Sequence, residues 1–214
     1  MSATSTSARI ESLDQFRGLT VVAMLIVNFL GGYTVCPILL KHSHDYCSFA
    51  DLVMPQFLFA AGFSMRLSFL KQVDRFGNQA AWLRMFRRIT GLIAISIFWY
   101  SFTTAGQTSS NLQNGDLISA LLWLCKRGWF QTLMHIAVTS AWILPVLQAG
   151  LSVRVAWAAI SAVLHLGLSW WFNFHWVNTG SQGIDGGPLG FLTWTMPMIA
   201  GTWAYDLCMT RRPL

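Results

Sequence analysis

The sequence predicts an all-α integral membrane protein, a bundle of about six transmembrane helices. Three features of the chain lead to this class. Apolar residues make up 54% of the 214 residues and charged residues only 10%, whereas about 25% is typical of soluble domains. The apolar residues gather in long runs, and the basic residues gather between those runs. A soluble chain of this length would need wider polar faces to cover so much apolar surface.

Six apolar runs predict the individual helices, because about 20 apolar residues cross the hydrocarbon core of a bilayer as a helix. Five of these runs contain no Asp, Glu, Lys or Arg, and the other, 52–70, is interrupted only by Arg66 near its end. We therefore predict a single domain, 1–214, with spans near 17–38, 51–71, 86–106, 129–149, 152–173 and 188–208.

The basic residues predict the orientation of the bundle. With the N-terminus in the cytoplasm, the outer segments hold only Lys41, Lys126 and Arg127, and the other eleven of the 14 Lys and Arg residues lie inside. Cytoplasmic loops of membrane proteins carry such an excess, so both termini are expected to be cytoplasmic. The net charge of +6 then reflects topology, and no nucleic-acid partner is expected.

Ionisable residues are concentrated in the predicted outer loop after the first span, KHSHDYCSFADLVMPQF at 41–57. His42 and His44 suit proton transfer near neutral pH, because an unperturbed histidine has a pKa of about 6.5. Two histidines without a third ligand nearby are a weak metal signal, and no metal is expected. Asp51 begins the second span, where it either caps the helix or orients a loop histidine.

A few polar residues lie within the predicted spans. Asn28 is on the same face of the first helix as Arg17 and about 16 Å further out, at 1.5 Å per residue. Its amide either joins two helices by a hydrogen bond or serves a site. Arg66 either reaches the lipid headgroups or meets a ligand at the inner face. His135 is a candidate because histidines inside the membrane are often functional.

Two stretches together resemble the heparan-alpha-glucosaminide N-acetyltransferase family and its bacterial relatives. That family's pattern runs S-x-D-x-F-R-G, an apolar run ending V-N, a loop with K/R-H, then A/T-D-L-V-x-P-x-F-x-F-x-x-G. This chain reads SLDQFRGLTVVAMLIVNFLGG and then KHSHDYCSFADLVMPQFLFAAGFSMRLSF. The matching residues are Ser12, Asp14, Phe16, Arg17, Gly18, Asn28, His42, Asp51, Pro55, Phe57, Phe59 and Gly62.

The resemblance implies a transmembrane acyltransferase. It would take an acetyl group from cytoplasmic acetyl-CoA, its acyl-donor substrate, and deliver it to a sugar or amino-sugar acceptor on the outer face. The family's active histidine and asparagine carry over to His42 and Asn28, with Asp51 orienting the histidine. The loop here is one residue shorter than usual, so His44 is the alternative to His42.

The remaining expectations concern binding and location. Arg17, with Arg66 secondary, would meet the CoA phosphates at the inner mouth of a channel. His44 and His135 are expected to contact the acceptor. The resemblance further implies a bacterial inner membrane and an N-terminal portion of the full catalytic domain, and a homodimer is left open. Two other classes compete: a membrane transporter or scaffold without catalytic activity, and a haem carrier with histidine axial ligands.

Overall fold

The structure, a computed structural model, describes residues 10–31, 33–43, 46–179 and 185–210. Within these residues it contains helices, turns and loops but no strand, which confirms the all-α class. The helices are α1 Glu11–Leu30, α2 Phe49–Phe76, α3 Asn78–Gln113, α4 Leu117–Trp123, α5 Thr132–Ile143, α6 Leu151–Asn178 and α7 Gly190–Thr210.

Four of the described helices, α1, α2, α3 and α6, are long and apolar enough to cross a membrane. Many of their large apolar side chains are exposed, as expected for surfaces that face lipid. The fourth and sixth predicted spans correspond to α5, which is short, and to α7, which carries several polar residues and Pro197 among its apolar ones. The count of six spans therefore stays a prediction.

Helix α2 lies at the centre of the bundle and packs against α1, α3 and α7. Its contact with α7 is close because glycines remove the side chains between the two backbones. A Cβ atom at Gly62 would lie 1.9 Å from the Met198 carbonyl oxygen, and one at Gly201 would lie 1.9 Å from the Phe59 carbonyl oxygen. Neither position accepts a larger residue, so these glycines fix how α2 and α7 cross.

The first turn of α2 is fixed by a capping box. The Ser48 hydroxyl accepts from the Asp51 backbone N–H at 3.3 Å, and the Asp51 carboxylate accepts from the Ser48 backbone N–H at 3.0 Å. Such a pair satisfies two helix-end donors that would otherwise have no partner. The outer end of α2, and Asp51 with it, is therefore held in place.

Helix α3 is longer than the predicted span 86–106, at 36 residues. It includes the polar stretch 106–113, which the sequence suggested was a loop. The chain then folds back as α4 and a π-helical segment, Leu124–Trp129, both of which pack on α3.

Candidate active site

The loop between α1 and α2 brings His42 back to the end of the bundle at which α2 begins. A short 3₁₀ turn, Ile38–Leu40, ends just before it. Lys41 Nζ donates to the Thr34 carbonyl at 3.2 Å, which ties the two arms of the loop together. Because α1 and α2 are packed neighbours, the loop returns His42 to the start of α2.

His42 and Asp51 form a hydrogen-bonded pair, with 2.7 Å between Nδ1 of His42 and Oδ1 of Asp51. The other carboxylate oxygen, Oδ2, accepts from the Ser48 hydroxyl at 2.9 Å and from the Ser48 backbone N–H. An ionised carboxylate only accepts hydrogen bonds, so Nδ1 of His42 carries the proton. Nε2 is then the basic nitrogen, and Asp51 orients the ring through its other nitrogen.

A small cavity of about 60 Å³ lies beside this pair, near the start of α2. Asn28 from α1 and His42 from the loop line it together, and apolar side chains of α1 and α2 form its walls. One water needs roughly 10–15 Å³ of such space, so the cavity holds a few waters or a small acyl group. Three residues predicted from the sequence are thus neighbours: two line one cavity, and Asp51 holds His42.

Two further residues line this cavity that the sequence reasoning missed, Thr132 at the start of α5 and Asp185 in the turn before α7. The Thr132 hydroxyl donates to Asp185 Oδ2 at 2.9 Å. Asp185 is the single acidic residue in the outer loop 173–187, directly before Gly-Gly-Pro. This isolated charge, in a stretch whose sequence is typical of a turn, was the signal that could have identified Asp185.

Of the two histidines expected to contact the acceptor, the structure describes His135. His135 is 2% exposed, and its Cε1 would lie 2.8 Å from a Cβ atom placed on Gly190 at the start of α7. Its Nε2 has no hydrogen-bond partner among the described residues. His44 lies outside the described residues.

Arg17 lines a second cavity of about 220 Å³, together with Arg88 of α3. The remaining walls are mostly apolar and come from α2, α3, α5 and α7. Arg17 is exposed, and one of its guanidinium nitrogens lies 4.0 Å from Asp14. Phe57 lines this cavity, which in the predicted orientation is the inner one, and Met54, three residues earlier on α2, lines the outer one beside His42.

Arg66 has a different environment from Arg17. Its Nε donates to Asp206 Oδ1 at 2.6 Å, and Nη1 donates to the Leu147 carbonyl. Arg154 binds the other oxygen of Asp206 and the Thr202 hydroxyl. In the described part of the chain, Arg66 is not among the residues that line the cavity with Arg17. Two guanidiniums therefore share one carboxylate here.

The fold and the polar groups define a helical membrane protein with one cavity at the start of α2 and another beside its middle. The family described as "Heparan-alpha-glucosaminide N-acetyltransferase, catalytic" matches residues 9–212, and the chain belongs to this family. No match was found among curated proteins or among solved structures. Family membership implies a transmembrane acetyltransferase, with acyltransferase activity in general and acetyl-CoA dependence as a general property of the family.

Proposed function

We propose that this chain moves an acetyl group from acetyl-CoA on the cytoplasmic side to a sugar or amino-sugar acceptor on the outer side of the membrane. One observation carries the proposal. His42 is held by Asp51 at 2.7 Å and lines the same small cavity as Asn28. A base, its orienting carboxylate and an amide donor are the parts that acyl transfer requires.

His42 acts through Nε2 in the proposed reaction. As general base, it takes a proton from the acceptor amine or hydroxyl while that group attacks the thioester carbonyl. The C–S bond then breaks, and the CoA thiolate leaves with the proton as the free thiol. As nucleophile, it first accepts the acetyl group itself and then passes it to the acceptor. The geometry of His42 supports both routes equally.

Asn28 donates a hydrogen bond to the oxygen of the thioester as negative charge develops there. Such donors contribute about 2.7–4 kcal/mol to comparable transition states. The exposed amide of Asn28, on the wall of the cavity that His42 also lines, supports this role. Asp51 does not contact the substrates in this scheme, and it acts by orienting His42.

Acetyl-CoA enters from the inner face in this proposal. Arg17, with Arg88 beside it, meets the phosphates, because guanidinium groups form paired hydrogen bonds to phosphate oxygens. The apolar walls of the inner cavity suit the pantetheine arm, which reaches past Phe57 and Met54 toward His42. Arg66 is the secondary binding residue in this proposal, and Asp206 holds its guanidinium in place.

Six spans with both termini cytoplasmic complete the proposal, in a bacterial inner membrane. Helices α5 and α7 would be the additional spans, each packed within the bundle against its neighbours. The excess of basic residues in the proposed cytoplasmic segments supports this orientation.

The test compares His42→Ala with two other histidine variants in the purified chain, with acetyl transfer and acetyl-CoA binding measured separately. We expect His42→Ala to abolish transfer and to leave binding unchanged, because His42 acts in the chemistry. His175→Ala, an exposed histidine at the same end of the bundle, should behave as wild type. If His44→Ala abolishes transfer and His42→Ala does not, the acting histidine is His44. Full activity in both variants would refute the proposal.

A further inference from the structure

A basic groove lies between the end of α2 and the start of α3. It has a volume of about 620 Å³, and three arginines of α3 line it: Arg84, Arg87 and Arg88. Among the described residues it shares only Arg88 with the cavity that Arg17 lines, and it shares none with the cavity beside His42. No acidic residue is among the described residues of its walls.

The protein itself does not neutralise the positive charge of this groove. Arg84, Arg87 and Arg88 form no ion pair with an Asp or Glu of the described residues. Arg84 Nη1 donates to the Gln72 amide oxygen at 3.3 Å, which positions the guanidinium without compensating its charge. Helix α3 has no acidic residue in its first turn. Because like charges three or four residues apart on a helix repel each other, an anion in the groove would stabilise this end of α3.

The arginines lie at the depth where lipid headgroups are expected. Helix α3 is long and apolar enough to cross a membrane, and its charge-free run begins at Ile89, directly after Arg88. At 1.5 Å per residue, Arg84 is about 8 Å from the start of that run. The headgroup layer on each side of a bilayer is roughly 5–8 Å thick. The phosphates of the membrane therefore lie level with the groove.

The groove also presents apolar surface to the membrane. Phe76 and Leu83 line it, and both side chains are exposed. Phe86, three residues after Leu83 on α3, is exposed as well, and exposed apolar side chains recur along the helix as far as Phe102. A ligand with a phosphate at one end and a hydrocarbon chain at the other therefore matches both the charge and the apolar surface.

We propose that this groove binds an anionic phospholipid of the surrounding membrane. The phosphate accepts hydrogen bonds from Arg84 and Arg87, because guanidinium groups form paired hydrogen bonds to phosphate oxygens, and an acyl chain lies along Leu83 and Phe86. Basic pockets between membrane helices hold anionic headgroups in this way. The lipid is not a reactant, so the inference is separate from the proposed function.

The experiment measures lipid preference by native mass spectrometry of the purified full chain in detergent. Equal amounts of phosphatidylglycerol, which is anionic, and phosphatidylcholine, which has no net charge, are added. The ratio of the two complexes with one bound lipid gives the preference. The test variant carries Arg84→Gln and Arg87→Gln, and glutamine keeps the helix propensity of arginine. Arg88 is left unchanged because it also lines the cavity with Arg17.

The control variant carries Lys71→Gln and Arg75→Gln. It removes the same charge from the last turns of α2, and neither residue lines the groove. We expect the wild-type chain to prefer phosphatidylglycerol, and the test variant to lose about 25-fold of that preference, roughly fivefold for each arginine near the anionic group. The control should keep the wild-type preference. No preference in the wild type, no loss in the test variant, or an equal loss in the control would overturn the proposal.

The single variants Arg84→Gln and Arg87→Gln are measured in parallel, so a double variant that does not fold leaves the test intact. Each should lose about fivefold of the preference, whereas Arg75→Gln alone should lose none. A wild-type preference in both single variants would refute the proposal.

Acetyl-CoA also carries phosphates and is the competing occupant. Added acetyl-CoA should leave the lipid preference unchanged, and the Arg84→Gln, Arg87→Gln variant should bind acetyl-CoA with wild-type affinity. Displacement of phosphatidylglycerol by acetyl-CoA, or weaker acetyl-CoA binding to this variant, would assign the groove to the nucleotide and overturn the proposal. Because the measurement is of binding alone, it is unaffected if the chain transfers no acetyl group.

Discussion

At the residue scale, Asp51 connects the folding of α2 to the position of His42. One carboxylate oxygen completes the capping box with Ser48, and the other accepts from His42. The rigid helix end therefore also fixes the ring on the preceding loop, whose side chain is 64% exposed and has little other support. Capping and orientation are distinct roles, and substitutions can separate them.

Asp51→Asn should lower kcat by roughly 10²–10⁴-fold, because an amide neither fixes the required tautomer nor stabilises a charged imidazole. Acetyl-CoA binding should persist, since Asp51 is not among the described residues that line the cavity with Arg17. Steady-state kinetics measures kcat, and a separate binding assay measures the affinity for acetyl-CoA.

Ser48→Ala is the matched control. It removes the hydroxyl from the cap and should cost about 1 kcal/mol in the free energy of unfolding, while kcat stays close to wild type. Equal losses of kcat in Ser48→Ala and Asp51→Asn would mean that Asp51 acts only through the helix cap.

The sequence could predict part of the site beside His42 but not the rest. His42 and Asp51 are nine residues apart across a short loop, so proximity follows from chain connectivity alone. Thr132 and Asp185 are 53 residues apart, and both are far in sequence from His42. Their meeting depends on how α5 and α7 pack, which periodicity does not specify. The roles of His42, Asn28 and Asp51 remain predictions.

At the element scale, α2 and α7 form the contact on which the two cavities depend. Met198 of α7 lines the inner cavity, and the turn that leads into α7 carries Asp185 of the outer one. The glycines between the helices set their separation. The helices themselves were predictable from long apolar runs, whereas the extension of α3 to Gln113 and the folding back of α4 were not, because they depend on tertiary contacts.

Gly62→Ala should destabilise the bundle by about 1–3 kcal/mol or more, because the new methyl group would overlap the Met198 carbonyl. Gly91→Ala in α3 is the control, since a Cβ atom there has no atom within 4 Å. That change should be neutral or slightly stabilising, as alanine favours helix. Thermal unfolding in detergent measures the stability of both variants. Equal melting temperatures for Gly62→Ala and Gly91→Ala would contradict the close α2–α7 packing.

At the scale of the whole molecule, the proposed reaction is divided between two cavities. In this proposal the arginine-lined cavity receives the donor, and the cavity with His42 and Asn28 receives the acceptor. Met54 and Phe57 are one helical turn apart on α2 and line one cavity each. The acetyl group would therefore cross between the two compartments inside the protein.

Vectorial transfer in sealed vesicles tests this claim most directly. The chain is reconstituted with its basic face inward, acetyl-CoA is trapped inside, and an amino sugar is supplied outside. We predict acetylated sugar outside and free CoA inside in equal amounts, with none from His42→Ala vesicles. Product that forms only when donor and acceptor share one side of the membrane, or that forms equally with His42→Ala, would contradict the account.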